Sequence, residues 1–167
     1  ADIPLVRFRD KGTPADNLSN YDSSQEQILY VAPVGQVKLS TLLFVTKTSM
    51  CKLVAGEEFD VAKRTIASTK LGEEDQLIFV GPADEMEQVV FQSEGGYFLR
   101  FQKQDISAMK KTSIGVRGMK LAEGDKLDHA YLLESRQEYT ITYHDKPYVL
   151  NRIKLSKRDS KGTKPRI

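Results

Sequence analysis

Apolar and polar positions along the chain fall into short runs separated by glycine, proline and charged turns, and no apolar period of 3.6 persists over eleven residues. Residues 41–46 (TLLFVT) and 50–54 (MCKLV), joined by Lys47-Thr48-Ser49, predict a hairpin. Residues 77–80 (LIFV) predict a third strand ending at Gly81-Pro82. The runs 88–92 (QVVFQ) and 97–101 (YFLRF) flank Ser93-Glu94-Gly95-Gly96, whose glycines supply the positive φ of a tight hairpin, and a strand over 127–133 follows. Residues 138–143 (EYTITY) and 148–155 (YVLNRIKL) flank His144-Asp145-Lys146-Pro147. Within the first of these, Tyr139, Ile141 and Tyr143 alternate with Thr140 and Thr142 as in a half-buried strand. Earlier in the chain, 28–31 (ILYV), bounded by Pro33 and Gly35, predicts a buried strand, whereas the prolines of 1–18 predict extended or looped backbone. Residues 102–109 suit one helical turn or a loop, and the tail suits either a closing strand or a flexible end. The fold class is all-β.

This pattern repeats. Residues 71–77 (LGEEDQL) match 121–127 (LAEGDKL) at an offset of 50, and 43–46 (LFVT) match 90–93 (VFQS) at an offset of 47. Between such landmarks lies a basic stretch, clearest over 109–121 (MKKTSIGVRGMKL) and looser over 7–18, 63–71 and 156–167. A period near fifty without helical patterning predicts stacked or radial four-stranded units. The expected arrangement is a single domain with units over about 1–40, 41–86, 87–135 and 136–167. The second unit then has three strands and a possible fourth formed by its own basic stretch, 63–71.

Composition adds three points. The 167 residues suffice for one core, and no run approaches the eighteen apolar residues of a membrane span. A first unit that begins halfway leads us to expect the C-terminal part of a longer chain. The single Cys51 excludes an intramolecular disulfide framework, fits a reducing compartment, and sits where a packed thiol is expected. The formal net charge of +2 conceals segregation: the stretches 7–11, 63–70, 110–120 and 151–167 hold 17 of the 25 Lys and Arg but 2 of the 23 acidic residues. Such separation is an electrostatic footprint.

Familiar catalytic patterns are missing from the chain. His129 and His144 stand alone without ligand-spaced neighbours, and Gly95-Gly96 is followed by aromatics rather than by Lys-Ser/Thr of a phosphate loop. The clusters Glu57-Glu58-Asp60 and Glu73-Glu74-Asp75 read as solvated loop charge, and the tyrosines as strand packing. No catalytic or metal-binding residue is assigned.

Phe44-Val45-Thr46-Lys47, Met50-Cys51-Lys52, Lys63-Arg64-Thr65 and above all 111–121 (KTSIGVRGMKL) with Glu123-Gly124-Asp125 resemble the C-terminal domain of the bacterial type IIA topoisomerase A subunit, in DNA gyrase or topoisomerase IV. Residues 9–14 (RDKGTP) and 157–163 (KRDSKGT) resemble corresponding parts of other blades. The resemblance implies a β-pinwheel, a propeller-like disc of four-stranded blades, here as a partial or reduced array, whose basic rim binds and bends duplex DNA. The partners it implies are the rest of the A subunit, together with the ATPase B subunit of an A2B2 assembly. ATP and Mg2+ would then act elsewhere in that assembly, which would lie in the bacterial cytoplasm with the nucleoid and have no membrane contact. The glutamine-, arginine- and glycine-rich box that marks gyrase is not present, so gyrase and topoisomerase IV both stand.

The residues support the same function physically. Cations on turns of successive units form a curved strip suited to sequence-independent phosphate contact, with hydroxyls and glycine amides between them. The aromatics lie in strands, unlike a single-strand stacking platform. The candidate contacts are Arg9, Lys11, Lys63, Arg64, Lys70, Lys110, Lys111, Arg117, Lys120, Lys157, Arg158 and Lys161. The alternatives are a propeller-like scaffold that binds acidic protein partners through the same rim, and a small all-β enzyme with a central site.

Overall fold

The computed structural model describes residues 2–166. Its strands are β1 (Thr41–Thr46), β2 (Met50–Ala55), β3 (Leu77–Pro82), β4 (Gln88–Ser93), β5 (Phe98–Gln102), β6 (Val116–Arg117), β7 (Leu127–Leu133), β8 (Thr140–Tyr143) and β9 (Lys146–Val149). They form three sheets, ordered β3-β1-β2-β6, β5-β4-β7 and β8-β9. Two short helices, α1 (Ala15–Leu18) and α2 (Val34–Leu39), precede them.

Alternation along the strands places a core on each side of the middle sheet. Val89 and Phe91 of β4 join Leu43, Val45, Cys51, Leu99 and Phe101 between the first two sheets, while Val90 and Phe98 meet Leu133, Leu150 and Ile153 beside the third. Phe91 and Phe101 touch edge to face with ring centroids 5.2 Å apart. Full burial of each such side chain is worth roughly 1.5–3 kcal/mol. The far face of the first sheet carries Leu42, Phe44 and Val54, covered by Tyr30, Val37 and Phe59.

The repeat is reproduced in register. β1 shifts its pairing with β3 between Val45 and Thr46, and β4 shifts its pairing with β7 between Gln92 and Ser93. The third and fourth units then hand segments at their basic stretches to the sheet before them. Ala108 and β6 lie along β2, with Met109 N–H donating to the Leu53 carbonyl. Leu155 lies along β5, with Ser156 N–H donating to the Arg100 carbonyl.

Three expectations are revised, and one of the two alternatives for the tail is met. The fourth strand of the first sheet comes from β6 of the following unit, while 63–71 is coil, because β2 offers its free edge to the later segment. Residues 28–31 form no strand and lie against a face of the first sheet rather than along its edge. Ile28, Leu29 and Val31 are exposed, and only Tyr30 packs inward. Pro14 and Pro33 each precede a short helix, where the fixed φ and the missing N–H of proline cost nothing at a first turn. For the tail the closing-strand alternative holds at Thr163: Phe98 and Thr163 exchange both backbone hydrogen bonds, as paired strands do.

Candidate nucleic-acid interface

Two acidic residues expected to be solvated loop charge, Glu58 and Asp75, instead shape loops. Glu58, in the 3-10 turn Gly56–Phe59, accepts the Lys111 amide at 2.9 Å and pairs with the Lys110 ammonium at 3.4 Å, while Lys111 Nζ donates to the Glu58 carbonyl. The Lys111 amide is the main cause holding the Glu58 carboxyl below its ordinary range, and burial opposes it. Asp75 and Asp125, which share one position of the fifty-residue repeat, accept the Thr48 and Gly95 amides at 3.0 and 2.9 Å and so brace the two hairpin turns. Sequence reading missed these roles. The available signal was the recurrence of Asp beside a hairpin at constant offset.

Lys52 was also missed. It lies 1% exposed in β2, opposite Phe44 with its Nζ 5.8 Å from that ring's centroid, and Nζ donates to the Lys110, Lys111 and Ser113 carbonyls at 3.2, 2.8 and 2.5 Å. Its signal was a lysine within an otherwise apolar strand. Burial pulls the ammonium's pKa down and the Glu58 charge opposes this.

Three of the four predicted basic stretches meet in series. Lys70 N–H donates to the Lys111 carbonyl, joining 63–71 to 109–121. Asp159 N–H donates to the Gly118 carbonyl and Lys120 N–H to the Ser160 carbonyl, joining 109–121 to the tail. Along this path Lys63, Lys70, Lys110, Lys120, Lys157 and Lys161 are exposed. Arg64 is exposed but donates to the Leu18 carbonyl at 2.7 Å, and the half-buried Lys111 is tied to Glu58. The half-buried Arg158 donates to the Asp105 and Arg117 carbonyls. Arg117 is held by a two-bonded contact with Asp159, at 2.5 and 3.0 Å, which raises the guanidinium's pKa and lowers that of the carboxyl. Arg9 and Lys11 stand apart on an exposed segment whose hydrogen bonds run between Arg7 and Asp10. The exposed Lys164, outside the predicted set, lies 4.8 Å over the Tyr97 ring.

Stacked β-sheets that exchange segments, with basic connectors aligned along one path, define a propeller-like repeat domain. A family model described as the DNA gyrase C-terminal domain, beta-propeller, matches residues 40–84 and 87–134, and the chain belongs to that family. The A subunit of DNA topoisomerase 4 from Streptococcus pneumoniae serotype 4 is 28% identical over 144 residues, 82% of this chain and 17% of the relative. The A subunit of DNA gyrase from Klebsiella oxytoca is 31% identical over 127 residues, 75% of this chain and 14% of the relative. The chain thus spans about a sixth of these relatives. Among solved structures, the C-terminal domain of DNA topoisomerase IV superposes with a TM-score of 0.83 at 25% identity, over 95% of this chain and 51% of that one. The DNA gyrase A C-terminal domain superposes at 0.71 with 22% identity, over 93% of this chain and 53% of that one, a likeness of fold.

Proposed function

We propose that this chain binds duplex DNA without sequence preference and bends it, as part of a type IIA topoisomerase A subunit that presents DNA for strand passage carried out elsewhere. The observation that carries this is the serial joining of three basic stretches by backbone hydrogen bonds, with exposed lysines on each. A curved row of ammonium groups suits a bent phosphate backbone, and displacement of condensed counterions supplies the affinity. The large aromatics Phe91, Phe98 and Phe101 are buried, which favours a duplex over stacked single strands.

In this proposal the chain contributes no catalytic group. ATP hydrolysis with its Mg2+ belongs to the rest of an A2B2 assembly of A subunits and ATPase B subunits in the bacterial cytoplasm. The test is affinity for a random-sequence duplex across a salt series, with end-to-end energy transfer on the same duplex to read bending. A slope of log K on log salt of about −0.9 per phosphate contact, with several contacts, is expected. No binding at low salt would refute the proposal and favour an acidic protein partner for the rim.

A further inference from the structure

We infer that Lys52 is a positioning residue for DNA binding: buried beneath the loop 110–113, it holds that loop in the shape that presents Lys110 and Thr112 outward. The inference rests on the duplex-binding proposal above.

An ammonium has three N–H donors and no acceptor. All three of Lys52 meet backbone carbonyls of one short loop, those of Lys110, Lys111 and Ser113. The Glu58 carboxylate in turn takes the Lys111 amide. The loop is therefore fixed between a cation at its carbonyls and an anion at its amide, and Lys110 and Thr112 within it are exposed. Phe44 offers Lys52 only a ring face, and the Glu58 carboxylate pairs with Lys110 instead, so the loop carbonyls satisfy the buried charge. With 1% exposure, Lys52 is shielded from phosphate itself. Any effect it has on DNA must pass through the loop.

The test compares Lys52→Met with Lys110→Met in the intact chain. The methionine keeps an unbranched side chain opposite Phe44 and deletes the donors. Two readouts are taken on each variant: hydrogen exchange of amides 110–115, and affinity for a random duplex of about thirty base pairs across salt. Lys52→Met is expected to speed loop exchange at least tenfold, leave exchange in β4 and β5 unchanged, and weaken duplex binding about fivefold. Lys110→Met is expected to leave loop exchange unchanged and to reduce the salt slope by about 0.9.

Unchanged loop exchange in Lys52→Met would overturn the inference. So would accelerated exchange with undiminished affinity while Lys110→Met binds more weakly. A wild-type chain that fails to bind duplex at all would sink the DNA proposal, whereas the exchange result still reads the clamp by itself. A second measurement needs no variant: acetylation of native wild-type amines should spare Lys52 while modifying Lys110, and equal reactivity would overturn the clamp.

Discussion

The Asp75 carboxylate takes both the backbone amide and the hydroxyl of Thr48, and fifty positions later Asp125 accepts the amide of Gly95 at the matching turn. In each unit the acidic residue comes from the connector leading into the third strand and braces the hairpin of the first two. A motif between strands thereby fixes a turn that lies far from it in sequence.

Asp75→Asn should destabilise the chain by about 1 kcal/mol near neutral pH, the value of a charge-assisted hydrogen bond discounted for partial exposure. Burial raises the Asp75 carboxyl, but hydrogen bonds from Thr46, Thr48 and Gln76 outweigh it, leaving the pKa below the ordinary 3.8. The stabilisation is therefore complete above that value and fades as pH falls through the lower native one. Urea unfolding of both proteins at pH 7, 5 and 3 should show a constant gap that narrows only at the last.

Gly115 has φ +104, and a Cβ there would meet the Cys51 carbonyl oxygen at 2.6 Å, against backbone that cannot swing aside. Gly115→Ala should cost about 2 kcal/mol or more from conformational strain and the clash together. Gly124, at φ +75 with nothing within 4 Å, is the control, and its alanine variant should lose about 1 kcal/mol. Thermal unfolding of the pair separates the two costs.

Asp159 occupies the left-handed region at φ 65, which asparagine also tolerates, and its carboxylate neutralises Arg117. Asp159→Asn should therefore keep the backbone and release the guanidinium. Duplex affinity is expected to rise several-fold and the salt slope to steepen by about 0.9. Weaker binding would argue that the pair serves to orient Arg117.

Cys51 is 1% exposed and burial pushes its thiol up to about 12. Gly118 closes over the sulfur, where a Cβ would come within 3.1 Å. Alkylation by iodoacetamide at pH 8 should be negligible in the folded chain and complete in urea. Labelling in the Gly115→Ala variant should become measurable under native conditions as the segment leaves β2.

Strand positions were legible because side-chain alternation and turn chemistry are local. The runs 77–80, 88–92 and 127–133 all lie within observed strands, and in the Gly95-Gly96 turn Gly96 sits where a positive φ is needed. Residues 28–31 misled because β propensity does not say whether a run pairs along a sheet edge or lies across a sheet face, and here only Tyr30 packs, against the face that carries Phe44. The basic stretches were legible as charge, but Arg117 and Arg158 spend their guanidinium groups on protein partners forty or more positions away. Lys52 looked like a strand residue that happened to be charged.

Composition and periodicity by themselves thus settled an all-β repeat with segregated basic connectors, because hairpins and turns depend on neighbours a few residues apart. Tertiary structure alone decided that residues 108–117 and the tail close the sheets of the units before them while 63–71 stays coil, and which cations stay exposed once that happens. Both depend on which backbone edges and carbonyls remain unpaired after the hairpins have formed.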